Sequence, residues 1–164
     1  MSRWSYLPAP RLAAFAAMAV AAGLLATSGL ASRGAAAAEG AWKDRTQVVW
    51  SKTTGKLIRR NFRVWDPHPE LDLDFLWEPR VSSSDQGESI VSGAGTLTWY
   101  AKGAATYDRR FTYSIFKGVL ENGRPSGQGL LAVRTGLSYT GQWRDGGMHG
   151  RGVLRLENGR LHRV

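Results

Sequence analysis

A pattern of glycines that recurs after 23 residues constrains the fold of this chain more than any other feature. The first set of recurring positions is Gly127, Gly129, Leu131 and Gly136, and the second is Gly150, Gly152, Leu154 and Gly159. Fixed periods of roughly 20 to 50 residues are typical of repeat architectures, in which each unit buries its apolar face against its neighbour. The C-terminal third is therefore expected to fold as a short array of similar units.

Each unit has the pattern of a β-hairpin. Leu154 and Leu156 alternate with charged residues and lead into Asn158-Gly159, a pair suited to the two positive φ angles of a type I′ turn. Alternation with a period of two places every second side chain on the same face of a strand. The sequence therefore predicts an antiparallel hairpin around this turn.

The strand after Gly136 carries the same alternation with larger side chains. Tyr139, Gly141 and Trp143 lie two residues apart and are expected on one face, where a glycine leaves room for a neighbouring ring. The run that begins with Asp145-Gly146 is expected to turn the chain into the next unit.

The chain before these units is less regular. A divergent unit begins at Gly93, and an insertion of about ten residues before Phe116 is expected to lengthen its loop. Residues 39–92 contain predicted strands at Gln47–Trp50, Leu57–Trp65 and Leu71–Trp77, which we expect to cap the start of the sheet. The predicted fold is all-β, a meandering antiparallel sheet of successive hairpins.

Three short elements follow one another in the best-preserved part of the repeat: Gly-x-Gly, Tyr-x-Gly-x-Trp and His-Gly-x-Gly. The residues that form them are Gly127, Gly129, Tyr139, Gly141, Trp143, His149, Gly150 and Gly152. In this order and spacing they resemble the MORN (membrane occupation and recognition nexus) repeat, over residues 93–164 and most clearly over 116–160. The resemblance implies hairpins used for protein contacts, self-association and, in some members, lipid association. It implies structural roles for these residues and supplies no catalytic residue.

The N-terminus has the pattern of an export signal. Arg3 and Arg11 precede a long apolar stretch without acidic residues, and the small residues Ala36 and Ala38 form a cleavage site before Glu39. Residues 1–38 are therefore predicted to be a signal peptide of an exported, bacterial-type protein in the periplasm or outside the cell. An uncleaved membrane anchor is the alternative, because the apolar stretch could just span a bilayer.

The composition limits both the chemistry and the partners. The chain has no cysteine and a net charge of +9, so it has neither disulfides nor a thiolate nucleophile. The positive charge favours anionic lipid headgroups or envelope polymers. Nucleic acid is not an expected partner, because export separates the two and the basic residues form no continuous stripe beyond pairs such as Arg59-Arg60.

No catalytic, cofactor-binding or metal-binding set is evident in the sequence. His149 is expected to pack or form a hydrogen bond at a turn, His162 to be exposed and His68 to lie in a proline-bounded loop. The acidic residues between Asp66 and Glu78 lack the spacing of a calcium loop. A third possible function, that of a hydrolase with an unrecognised site, requires a pocket that holds a histidine beside a carboxylate.

Two places in the chain are candidates for contact with partners. Tyr100 and Tyr107, with Arg109 and Arg110, are predicted to form an exposed surface, because tyrosine buries a large area at low entropic cost. The last hairpin is expected to leave an unpaired edge strand that pairs with a second copy or with another protein. The predicted function is that of a non-enzymatic interaction scaffold, and the alternative is a binder of anionic lipid or polymer surfaces.

Overall fold

The computed structural model describes residues 40–80 and 90–164, which belong to one compact unit. The predicted signal peptide, 1–38, and its cleavage site lie outside the described residues. Nine strands account for most of the described chain, which confirms the prediction of an all-β fold built from successive antiparallel hairpins.

The strands are β1 (Ala41–Ser51), β2 (Lys56–Asp66), β3 (Leu73–Pro79), β4 (Gly93–Ala101), β5 (Thr112–Glu121), β6 (Arg124–Val133), β7 (Ser138–Arg144), β8 (Gly147–Arg155) and β9 (Leu161–Arg163). Two one-turn 3-10 helices lie at Pro69–Leu71 and Arg109–Phe111. Strands β1 and β2 pair with each other, and β3 to β9 form a seven-stranded sheet in which every strand pairs with its neighbours in the sequence.

The sequence period is also a period of the backbone. The ladder between β5 and β6 is interrupted between Gly118 and Val119, and the ladder between β7 and β8 is interrupted 23 residues later, between Gly141 and Gln142. At both places the partner strand contains two more residues than the register requires, including a glycine with positive φ. These two-residue bulges explain the Gly-x-Gly element, because its first glycine adopts a conformation that other residues avoid.

The turns that precede the bulged strands β6 and β8 repeat with the same step. Asn122-Gly123 and Asp145-Gly146 each connect strands through a two-residue loop in which both φ angles are positive, at 48° and 72° and at 49° and 85°. Positive φ at both central positions defines the type I′ turn, which matches the twist of a hairpin.

The other turns of the array differ from the prediction. Asn158 does not have a positive φ, whereas Gly159 does, at 81°, and the amide of Leu156 bonds the carbonyl of Arg160 across a three-residue loop. The type I′ assignment at Asn158-Gly159 is therefore wrong, and the loop has the pattern of a type I turn followed by a glycine bulge. The loop that ends at Gly136, with φ 98°, is built in the same way.

The core is a row of aromatic rings on one face of the seven-stranded sheet. Phe116, Tyr139 and Trp143 are all at most 5% exposed, and the ring of Trp143 meets the other two edge to face at 5.3 and 5.2 Å. The expectation that Tyr139 and Trp143 share a face is confirmed. A Cβ on Gly141 would lie 2.5 Å from the Tyr139 hydroxyl and 2.6 Å from the Cα of Gly152, so this close approach of strands requires glycine.

The β1–β2 hairpin packs on the same core. Phe62 and Val64 are almost fully buried and belong to one apolar cluster with Phe75, Trp77 and other residues of the sheet. The amide of Trp65 bonds the carbonyl of Gly123 at 3.0 Å, which joins β2 to the turn between β5 and β6. These contacts bury the apolar face of a hairpin that would be marginal in isolation.

Candidate interaction surface

The predicted tyrosine surface is only partly present, because Tyr100 is 3% exposed. Its hydroxyl donates to the carbonyl of Phe75 at 3.4 Å, and the guanidinium of Arg45 stacks over its ring at 5.0 Å. A bulge between Trp99 and Tyr100 interrupts the alternation of β4 and leaves both side chains buried. The assignment of Tyr100 to an interaction surface is therefore wrong.

The remaining members of that surface lie in the connection between β4 and β5. Tyr107 is 89% exposed, and Arg109 and Arg110 are exposed on the short helix that follows. Arg110 is paired with Asp108, with Nη2 2.7 Å from Oδ2, and this hydrogen bond lowers the pKa of the Asp108 carboxyl below its usual value. Phe111, 44% exposed, lies next to this pair. The connection thus presents aromatic rings beside an ion pair whose two partners both belong to the connection.

The repeat positions act within the sheet. The Tyr139 hydroxyl donates to the carbonyls of Gln142 at 3.1 Å and His149 at 3.5 Å, the two residues paired at the second bulge. Trp143 donates from its indole nitrogen to the carbonyl of Gly129 at 3.3 Å. Gly127 and Gly150 occupy the bulges with φ of 67° and 61°. These contacts place side-chain donors on backbone carbonyls close to the two bulges.

The His149 side chain is exposed, so the expectation of packing at the turn is wrong, and the alternative, a hydrogen bond at the turn, stays a prediction. It lies in a shallow groove that also contains Gln128, Gln142 and Arg144, and no carboxylate lines this groove. His68 does meet a carboxylate, with Nδ1 3.2 Å from Oε1 of Glu70, but both side chains are about half exposed. Neither histidine combines the pocket and the acidic partner that hydrolytic chemistry requires.

Two other kinds of site are absent from the described residues. Residues 40–80 and 90–164 contain no group of three or more potential ligands that could hold a metal ion. Within the same ranges, no helix is long and apolar enough to cross a membrane.

The two edges of the seven-stranded sheet differ. At the β3 edge, the side-chain amide of Gln47 lies 3.0 Å from both the carbonyl and the amide nitrogen of Trp77. The assignment that satisfies both backbone groups has the Gln47 nitrogen donating to the carbonyl and its oxygen accepting from the amide. Gln47 is 8% exposed and extends from β1, which lies along this edge. The salt bridge between Lys43 and Asp72, at 3.9 Å, links the same two segments. A side chain thus takes the place of the next strand, and the β3 edge is covered there.

The β9 edge has no such cover among the described residues. Val164 exchanges two backbone hydrogen bonds with Gly152, at 2.9 and 3.0 Å, so its polar groups point inward to β8. Because hydrogen-bonding direction alternates along an antiparallel strand, the amides and carbonyls of Leu161 and Arg163 point outward. Leu161 is also 67% exposed. The outer side of β9 therefore offers both backbone groups and an apolar side chain.

Sequence reasoning missed an exposed apolar group at the turn between β1 and β2. Val48, Trp50 and Leu57 are 62%, 58% and 67% exposed. The predicted strands include all three residues. The signal for their exposure was the alternation of Val48 and Trp50 with Gln47, Val49 and Ser51, which face the opposite side of β1.

No protein-family model matches this chain, and the search of curated proteins gave no significant match.

Proposed function

We propose that this protein is a non-enzymatic, exported scaffold, built as a MORN-type repeat array, that self-associates or binds a protein partner through the outer edge of β9. The observation that carries the proposal is the difference between the two sheet edges. The side-chain amide of Gln47 hydrogen-bonds the backbone amide and carbonyl of Trp77 at the β3 edge. At the β9 edge, the backbone amides and carbonyls of Leu161 and Arg163 point outward. An open edge is a template for strand addition.

The geometry of β9 favours pairing with a second copy. Two β9 strands can meet antiparallel about a two-fold axis, which gives a closed dimer and leaves no further edge at that position. Arg160 and Arg163 are the cationic residues beside this edge, and both are exposed. Their repulsion across the two-fold axis limits the affinity, so we expect association to be stronger at high ionic strength.

Light scattering coupled to size exclusion tests the proposal on residues 39–164, which contain every described strand. The parent is expected to show a mass that rises with concentration toward that of a dimer. Leu161→Pro removes an outward amide and no bond to β8, so it should leave the fold intact and give a monomer.

Leu161→Lys, which places a charge at the same edge, should also give a monomer, and Leu130→Lys is its matched control. Leu130 is 38% exposed but lies on β6, inside the sheet, so its replacement should not affect association. A parent that stays monomeric at every concentration, or a Leu161→Pro variant that associates like the parent, would contradict the proposed use of this edge.

A further inference from the structure

The turn between β1 and β2 carries an apolar group at its outer face. Trp50 and Leu57 are directly opposite each other in the ladder, and Val48 lies two residues before Trp50 on the same face. All three side chains are more than half exposed. We define the hairpin tip as these three residues together with Lys52, Lys56 and Arg59.

The charge around the hairpin tip has a single sign. From Arg45 to Trp65 the sequence contains six basic residues and no acidic residue. Arg63 is paired with Asp44 at 2.8 Å, and Arg45 and Arg60 stack over aromatic rings. Lys52, Lys56 and Arg59 are exposed beside the apolar group. A bulky apolar centre is thus surrounded by cations.

We propose that the hairpin tip docks on an anionic phospholipid surface. Tryptophan favours the boundary between lipid headgroups and hydrocarbon, and an adjacent leucine gains free energy by entering the acyl region. Each lysine or arginine near an anionic bilayer raises the affinity about fivefold. The long side chains of Lys52 and Lys56 can keep their ammonium groups among the phosphates while Trp50 is inserted.

Charge also argues against a second copy as the occupant. Two hairpin tips facing each other would bring together six cations without an acid between them, and like charges in contact are unfavourable. The hairpin tip lies outside the repeat array and shares no residue with β9, so this inference can fail while the proposed edge pairing holds, and the reverse.

Vesicle binding by residues 39–164 tests the inference. Phosphatidylcholine vesicles that contain phosphatidylglycerol should bind the protein, pure phosphatidylcholine vesicles should bind it much more weakly, and high salt should release it. Trp50→Ala combined with Leu57→Ala should lower the affinity at least about tenfold. Reversal of two charges, Lys52→Glu with Lys56→Glu, should lower it by about tenfold or more.

Matched controls separate the hairpin tip from general surface effects. Tyr107→Ala removes another exposed ring, and Arg134→Glu reverses an exposed charge in the loop between β6 and β7, so both should bind like the parent. Trp50→Phe should largely keep the binding but remove the blue shift of tryptophan emission on adding vesicles. Trp99 and Trp143 are buried, and Trp42, although 44% exposed, packs on Trp65 at the end of the hairpin away from the turn.

Three results would overturn the inference. The first is equal binding to neutral and anionic vesicles, and the second is parent-like binding by both hairpin-tip variants. The third is a change in oligomeric mass, with no change in vesicle affinity, when Trp50 and Leu57 are replaced. The last result would assign the hairpin tip to contacts between copies of the chain. Near-ultraviolet circular dichroism of each variant checks that the fold is retained, which is expected because the substituted side chains are exposed.

Discussion

The hydroxyl of Tyr139 donates a hydrogen bond to the carbonyl of Gln142, three residues later on the same strand, at 3.1 Å. This bond crosses the bulge at which Gly141 and Gln142 leave the regular ladder. In the preceding repeat the corresponding ring is Phe116, which has no hydroxyl, although the bulge is the same. The ring fills the space over the glycines in both repeats, and only Tyr139 adds a polar contact.

Tyr139→Phe is expected to destabilise the fold by about 1–3 kcal/mol, because the carbonyls of Gln142 and His149 lose a donor that is almost fully buried. Chemical denaturation gives this value. Tyr107→Phe, at an 89% exposed position, should be neutral. Equal stabilities for the two variants would mean that solvent satisfies the bulge carbonyls.

Trp143→Ala is expected to cost about 3–5 kcal/mol, because the ring is 5% exposed and contacts both Phe116 and Tyr139. Trp50→Ala is the matched control, since that ring is 58% exposed and its loss should change the unfolding free energy little. A loss below about 1 kcal/mol for Trp143→Ala would place its ring on the surface.

Gly141→Ala is expected to lower the melting temperature, whereas Gly147→Ala should be tolerated. A Cβ at Gly141 meets the backbone of Gly152 at 2.6 Å, and one at Gly147 comes no closer than 3.5 Å to Arg144. Overpacking of this kind typically costs about 1–3 kcal/mol. Similar thermal unfolding curves for the two variants would show that the strands can separate at the bulge.

Asp66→Asn is expected to stabilise the protein at neutral pH. Asp66 is buried, and burial raises the pKa of its carboxyl above the unfolded value of 3.8, against the hydrogen bond from the amide of His68. A raised pKa means that the ionised form costs stability, so the cost is absent below the unfolded pKa and develops as the pH rises through the folded pKa. Asparagine keeps an oxygen that accepts from His68.

Thermal unfolding at several pH values tests this, with Asp72→Asn as the control of opposite sign. The hydrogen bond from Lys102, at 2.8 Å, lowers the pKa of Asp72, so its contribution is present above pH 3.8 and is lost as the pH falls through the folded pKa. As the pH rises, the unfolding free energy of Asp66→Asn should therefore increase relative to the parent, and that of Asp72→Asn should decrease relative to the parent. A shift of the same sign in both variants would contradict these assignments.

The repeat could be predicted from the sequence because its glycines and rings are local signals with a fixed spacing. The bulges could not be predicted, since the two extra residues, Gly127 and Gln128, become visible only when β6 is aligned with β5. The turn at Asn158-Gly159 was assigned from a dipeptide, but loop length selected a different turn.

The candidate surfaces were harder to predict because side-chain burial depends on distant contacts. Tyr100 is covered by Arg45, a residue of another sheet more than fifty positions earlier. The start of β1 at Ala41 was also missed, because Lys43 and Arg45 interrupt the apolar pattern. Their positions are fixed by ion pairs, Lys43 with Asp72 and Arg45 with Asp74. Pairing of this kind leaves no periodic signal in either segment.

Amide hydrogen exchange of residues 39–164, measured at increasing protein concentration, tests the proposed β9 edge most directly. The amide of His162 bonds inward to β8 and should be protected at every concentration. The amides of Leu161 and Arg163 should exchange rapidly in dilute solution and become protected as the concentration rises. Rapid exchange at both positions under all conditions would contradict strand pairing at this edge.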